Sequence, residues 1–179
     1  DRADSKIRAG QTITAIDGNA ITADVDWAKF LNRKKGLNVL LTLRDASGKT
    51  FDEVVQPISS GEENALLYKR WTKKMEDMVN KLSGGKVGYV HVQAMNDASY
   101  RNVYDAVLGK NKNKEALIVD TRFNGGGWLH EDLSTFLSGK LWAKFVPYGV
   151  QPIGGGEPAN KWDKPSCVLM NEANYSDAH

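Results

Sequence analysis

The spacing of hydrophobic positions changes several times along this chain, and each change predicts a different element. Ile13-Thr-Ala-Ile16 reads as a short strand, and Asp17-Gly18-Asn19 after it is a turn signal. Val25, Trp27, Phe30 and Leu31 recur at roughly the spacing of one helical face, which predicts a helix over 24–32 that Gly36 ends. Asn38-Val-Leu-Leu-Thr-Leu-Arg44 is a strong strand, and Asp45-Ala-Ser-Gly48 turns it into a second strand over 50–55. Pro57-Ile-Ser-Ser-Gly-Glu-Glu63 reads as a linker. From about 63 to 82 the period becomes helical. Leu66, Leu67, Trp71, Met75, Met78, Val79 and Leu82 make an apolar stripe expected to face a core, and Ser83-Gly84-Gly85 stops the helix.

The second half alternates between the two periods. Strands are predicted over 87–92, 116–120 and 166–170, and helices over 98–108 and 129–137. Tyr100, Val103, Tyr104 and Val107 share one face of the first of these helices. Ala116-Leu-Ile-Val-Asp120 is almost continuously apolar, as in a strand covered on both faces of its sheet. Strand–helix–strand–helix–strand predicts an α/β sheet, mostly parallel, with right-handed crossovers. The stretch 147–165, rich in proline and containing Gly154-Gly-Gly156, reads as a long loop.

Composition narrows the function classes. The chain has 179 residues, 41% apolar and 26% charged, within the range of a soluble globular protein. With 24 basic and 22 acidic residues the net charge is +2, which gives no reason to expect nucleic acid or an anionic membrane as partner. Lys34-Lys35 and the lysines of 110–114 read as solvated surface. No run reaches the roughly 20 apolar residues of a membrane helix, so membrane insertion is not expected. The chain opens on Asp1-Arg-Ala-Asp without an initiator Met and is expected to be a fragment, so targeting signals are not read from it. Cys167, inside Cys167-Val-Leu-Met170, is expected to be a small core residue, and a single cysteine forms no internal disulfide. His91, His130 and His179 lack ligand spacing, so neither a metal nor another cofactor is expected.

Two turns carry the candidate chemistry. Asn124-Gly125-Gly126-Gly127 follows the 116–120 strand and precedes a helix. Consecutive glycines permit positive φ and leave no side chain between the backbone and a ligand. N–H groups at a helix start favour negative charge, either a phosphate or a tetrahedral oxyanion. The phosphate reading lacks a Gly-Lys-Ser/Thr ending and the G-x-G-x-x-G spacing. Ser176 follows the last strand and the small turn Ala173-Asn-Tyr175, at a strand-to-helix position suited either to a nucleophile or to a helix cap.

Read together, Gly85-Lys-Val-Gly-Tyr-Val-His-Val92, Leu117-Ile-Val-Asp-Thr-Arg-Phe-Asn-Gly-Gly-Gly127 and Asn171-Glu-Ala-Asn-Tyr-Ser-Asp177 resemble the C-terminal processing (tail-specific) serine peptidases, and within them the tricorn branch. Lys69-Arg-Trp71 is similar to the tricorn pattern as well. Upstream, Ile7-Arg-Ala-Gly-Gln-Thr-Ile-Thr-Ala-Ile-Asp-Gly-Asn-Ala-Ile21 resembles a PDZ domain, although the carboxylate-binding loop and the strand after it would precede Asp1.

The resemblance implies a partial, β-rich PDZ-like domain over 1–58, a linker and helix over 59–84, and over 85–179 the first part of a crotonase-like, mostly parallel α/β peptidase core. Carried over to this sequence, it makes Ser176 the nucleophile and the backbone N–H groups of Gly127 and Asp177 the oxyanion hole. Gly125 and Gly126 line the substrate. The implied partner is a peptide or an unfolded protein, and a homo-oligomer is in keeping with the family. An exported bacterial location is favoured, with the cytoplasm left open. The general base and the acid that orients it are expected outside this chain, so the fragment alone is expected to be inactive. Two rivals stay open: a non-catalytic peptide-binding scaffold of PDZ type, and a phosphate binder that uses the glycine turn.

Overall fold

The computed structural model describes residues 4–179; residues 1–3, at the head of the expected first region, lie outside it. The chain divides into two compact units, one ending at Tyr68 and the other running from Lys69 to His179.

The first unit is a four-stranded antiparallel sheet. Strands β1 (Thr12–Ile16), β2 (Asn19–Ala20), β3 (Val39–Arg44) and β4 (Thr50–Val55) lie in the order β2-β1-β3-β4. Asp17 and Gly18 both have positive φ, 46° and 76°, which matches the right-handed twist of the β1–β2 hairpin. The Asp17 carboxylate accepts from Leu40 N at 2.8 Å and pairs with Lys34, pinning this hairpin to β3. Val39, Leu41 and Leu43 alternate inward along β3 and, with Ile16, form a small core to which Phe30, Leu31 and Val55 add. The apolar spacing over 24–32 yields a single 3₁₀ stretch, Trp27–Leu31, capped by Asp26, in place of the expected helix.

Helix α1 (Ser60–Leu82) starts earlier than expected because Ser59 and Glu62 form a capping box. Glu62 Oε2 accepts from Ser59 N at 2.8 Å, and Ser59 Oγ accepts from Glu62 N at 3.3 Å. Gly84 and Gly85, at φ 61° and 84°, end the helix, with Gly85 N donating to Asn80 O. The apolar stripe of α1 departs from expectation. No residue of the helix is fully buried: Trp71, Met75 and Val79 are half-buried, and Leu66, Leu67, Met78 and Leu82 are exposed. Periodicity identified an apolar face; nothing in it determines what covers that face.

In the second unit β5 (Val87–His91), α2 (Asp97–Leu108), β6 (Ala116–Asp120), α3 (His130–Ser138) and β9 (Ser166–Leu169) build a parallel sheet in the order β5-β6-β9. All its pairs are parallel and in register from Val87↔Ala116 to Asp120↔Leu169. The core joins Val90, Val92, Leu117 and Val119 of the sheet region to Val103 and Val107 of α2 and Leu133 and Phe136 of α3. The mixed α/β class and the parallel sheet agree with the sequence pattern.

Two expectations fail in this unit. The stretch read as a loop contributes β8 (Ile153–Glu157) to a two-stranded antiparallel hairpin with β7 (Ala143–Phe145). It also buries Trp162, whose backbone N–H donates to Phe136 O. Glycines mask a strand signal, and here Gly156 is needed because a Cβ would fall 2.5 Å from Ala143 O. Cys167 is exposed rather than in the core, because β9 is the edge strand of the described sheet and only Leu169 in it is even partly buried.

Candidate active site

The backbone that leaves β6 is held by buried amide and hydroxyl groups. Thr121 donates twice to Leu169 O, through N at 2.9 Å and Oγ1 at 3.0 Å. Asn124 is fully buried. Its Nδ2 donates to Val92 O at 2.8 Å, its Oδ1 accepts from Gly126 N at 2.9 Å, and its carbonyl accepts from Tyr175 N at 3.1 Å. One side chain therefore ties the glycine turn to the end of β5, while its carbonyl reaches the turn after β9. Phe123 sits at φ 67°, an uncommon conformation for a residue with a Cβ, and its N–H donates to Asn171 Oδ1 at 3.1 Å.

The three glycines are not equivalent. Gly127, at φ 146°, runs beside Met95, and a Cβ on it would lie 2.0 Å from Met95 O. The turn is stitched there on both sides, Met95 N donating to Gly126 O and Trp128 N to Met95 O. Gly126, at φ 94°, makes room for the second turn, because its Cβ would lie 2.7 Å from both Ser176 Cβ and Tyr175 O. Its N–H is already engaged by Asn124, so what it offers a ligand is space rather than a donor. Gly125 has nothing within 4 Å of a Cβ position and faces open space.

The second turn is built the same way. Buried Asn174 donates through Nδ2 to Thr121 O, Thr121 Oγ1 and Ala178 O, at 2.9, 2.9 and 2.8 Å, and its Oδ1 accepts from Asn171 N at 2.9 Å. Ser176 opens the 3₁₀ turn Ser176–Ala178, is exposed, and has φ 55°. An exposed serine on a left-handed backbone, at the end of the turn that follows β9, has the posture a nucleophilic serine needs.

Asp177 joins the two turns. Its carboxylate accepts from Leu129 N at 2.6 Å, His130 N at 3.2 Å and His130 Nδ1 at 2.5 Å. The bond from the Leu129 N–H is the largest cause holding its carboxyl below the usual range, with His130 adding to it. Sequence patterns give no sign of this contact. It means that the start of α3 already holds an internal anion, which removes the helix terminus from the phosphate reading. The N–H groups of Gly127 and Asp177 donate to no acceptor among the described residues.

The three histidines have separate surroundings. His91 Nε2 lies 2.9 Å from Arg122 O and its ring meets Trp71 edge-on at 4.9 Å; burial lowers its pKa. His130 belongs to the Asp177 contact, and His179 is exposed at the end of the turn. Below the glycine turn, fully buried Asp120 accepts from Tyr89 Oη at 2.7 Å and from Arg122 Nε and Nη2 at 2.9 and 2.6 Å. Burial raises the Asp120 carboxyl, but these bonds outweigh it and leave the pKa lowered; burial drives Tyr89 upward. Arg122 in turn stacks over Trp71 at 5.4 Å. Among the described residues no group of three or more His, Cys, Asp or Glu is gathered for a metal, and no helix is long and apolar enough to cross a membrane.

Comparison with known proteins bears on this arrangement. Residues 86–179, more than half of the chain, match the profile of peptidase family S41. A tricorn protease homologue of Saccharolobus solfataricus is 28% identical over 174 residues, covering 96% of this chain and 15% of the relative. Tricorn protease homologue 1 of Streptomyces coelicolor is 28% identical over 172 residues, covering 96% of this chain and 16% of the relative. The chain thus spans about one-sixth of the length of these relatives. A crystal structure of the tricorn protease shares the fold, with a TM-score of 0.68 at 24% identity over 92% of this chain and 16% of that one.

Proposed function

We propose that this chain, which belongs to peptidase family S41, carries the nucleophile and oxyanion hole of a serine peptidase that cleaves peptide bonds through an acyl-enzyme on Ser176. The observation that carries the reading is the meeting of the two turns. Exposed Ser176 rests against Gly126, and the unengaged N–H groups of Gly127 and Asp177 belong to those same two turns. In this mechanism Ser176 Oγ attacks the substrate carbonyl carbon and its proton passes to a base. The Gly127 and Asp177 N–H groups take the charge that develops on the carbonyl oxygen. The C–N bond then breaks, the amine leaves with the proton from the base, and water hydrolyses the ester. Gly125 and Gly126 leave room for the substrate backbone.

The base and the acid that orients it are assigned to the remainder of a longer protein. This chain spans about one-sixth of its relatives, and the ring nitrogens seen bonded in His91 and His130 face Arg122 O and Asp177. The unit boundaries are read as a partial PDZ-like domain over 1–58, a linker and helix over 59–84, and the first part of a crotonase-like core over 85–179. The partner is a peptide or unfolded protein, and the full protein is expected to form a homo-oligomer.

A non-catalytic peptide-binding scaffold is the second reading. An apolar cleft of about 530 Å³ in the first unit, lined by Ile13, Ile16, Ile21, Trp27, Leu31 and Leu41, favours it. Fluorophosphonate labelling of the full-length protein, with the adduct mapped by mass spectrometry and this chain run in parallel, separates the two. Labelling at Ser176 in the full-length protein but not in the isolated chain is the expected result. Absence of labelling in a folded full-length protein overturns the catalytic reading in favour of the scaffold.

A further inference from the structure

Asp177 has two separate duties in the proposed site. Its backbone N–H is one oxyanion donor, while its carboxylate binds the beginning of α3, two residues beyond Gly127, the other donor. The two donors are 50 positions apart in sequence, and this carboxylate links their segments directly. The side chain of Asp177 is only 10% exposed, whereas that of His130 is 51% exposed, so the histidine closes the solvent side of the contact. With its carboxyl held low, Asp177 is ionised at neutral pH and can only accept. Nδ1 of His130 therefore carries the hydrogen in this bond. The exposed Trp128 ring meets the imidazole edge-on at 5.6 Å.

We propose that His130 is a positioning residue: by donating from Nδ1 to the Asp177 carboxylate it sets the relative placement of the Gly127 and Asp177 N–H groups. This rests on the reading of Ser176 as nucleophile. A displaced donor meets the developing oxyanion poorly but alters ground-state contacts little, so the effect falls on kcat and not on KM. The alternative role for the same ring, a base acting through Nε2, makes a different prediction. An asparagine places its amide N–H near the position of Nδ1, and a glutamine reaches toward that of Nε2.

The test uses the full-length protein and the variants His130→Ala, His130→Asn and His130→Gln. It measures kcat and KM on a peptide together with the rate of fluorophosphonate labelling at Ser176. His130→Ala is expected to lower kcat and labelling roughly 10- to 100-fold with KM within about twofold, the size of effect that small misplacement at a reacting centre produces. His130→Asn is expected to restore both, and His130→Gln is not. If His130→Ala does not fold, the contrast between Asn and Gln carries the test unchanged. Wild-type labelling with all variants equal to wild type overturns the positioning role and leaves the Ser176 reading standing. Loss of activity in His130→Asn equal to that in His130→Ala overturns it too and points to Nε2. A wild-type protein that does not label at Ser176 removes the Ser176 reading and this proposal with it.

Discussion

The two units of the molecule bury different chemistry. In the first unit the buried core consists of Ile16, Val39, Leu41 and Leu43, all apolar, and alternation along β3 explains it. In the second, Ser99, Asn111, Asp120, Thr121, Asn124 and Asn174 are buried beside the apolar core. Asp120, Thr121, Asn124 and Asn174 cluster where the two turns leave β6 and β9. Regular strands satisfy their own backbone groups, so an apolar interior suffices. Irregular backbone brought inside the protein does not, and its N–H and C=O groups need side-chain partners. Buried polar residues thus mark the place where the chain departs from regular structure, at the two turns of the proposed site.

The sharpest break of this comparison is Ser176→Ala. It is expected to abolish fluorophosphonate labelling and to lower peptide hydrolysis by the full-length protein at least ~10⁴-fold, with the melting temperature unchanged. An unchanged rate would show that the second turn is architecture only. Next in size is Gly127→Ala, whose Cβ would fall 2.0 Å from Met95 O. The turn must shift, and a loss on the order of 10²-fold or more in kcat is expected.

Asn124→Ala and Val39→Ala then compare the two units directly. Removing the Asn124 amide leaves Val92 O and Gly126 N without partners, and a loss of about 2–4 kcal/mol is expected in denaturant unfolding, together with loss of labelling. Val39→Ala is expected to lose about 1–3 kcal/mol with labelling at Ser176 retained. Equal effects of the two substitutions on labelling would erase the distinction drawn between the units.

A pH series probes the buried charge. The Asp120 carboxyl is raised by burial but lowered further by Arg122 and Tyr89, so its folded pKa lies below its unfolded one. The unfolded state then binds the proton more readily. The stabilisation is present above the usual aspartate range and is lost as pH falls through the folded value. The melting temperature of wild type should decline in acid more steeply than that of Asp120→Asn; parallel curves would contradict the assignment. The smallest effect is expected for Lys73→Ala, which removes the exposed ion pair with Asp77 on α1 and should leave the melting temperature unchanged within error.

Much of this is legible in the sequence. The apolar run at 116–120 has the observed bounds of β6, and those predicted over 50–55 are the bounds of β4, because both are set by strong β formers between turn residues. The pairing of a glycine turn with a serine after the last strand also stood out. The roles of Asn124, Asn171 and Asn174 did not. Asparagines in short turns read as turn formers, and whether they reach another turn depends on contacts such as Asn174 to Thr121, 53 residues apart. The hairpin at 143–157 is hidden by its glycines, and the periodicity of the α1 stripe does not reveal that Trp71 packs on His91 while Leu66 and Leu82 stay exposed.

The sequence by itself determined the order of the main strands and helices, though not the β7–β8 hairpin, together with the alternation in one half, the buried strand in the other, and which short turns could host chemistry. These follow from local periodicity and from the conformational freedom of glycine, which act over a few residues. Only the tertiary structure decided that Gly126 makes room for Ser176 and that Asp177 binds the start of α3. It alone put Cys167 on an edge strand and drew His130 into the contact between the turns. Those outcomes depend on groups about 50 residues apart meeting in space, and no local pattern encodes such a distance.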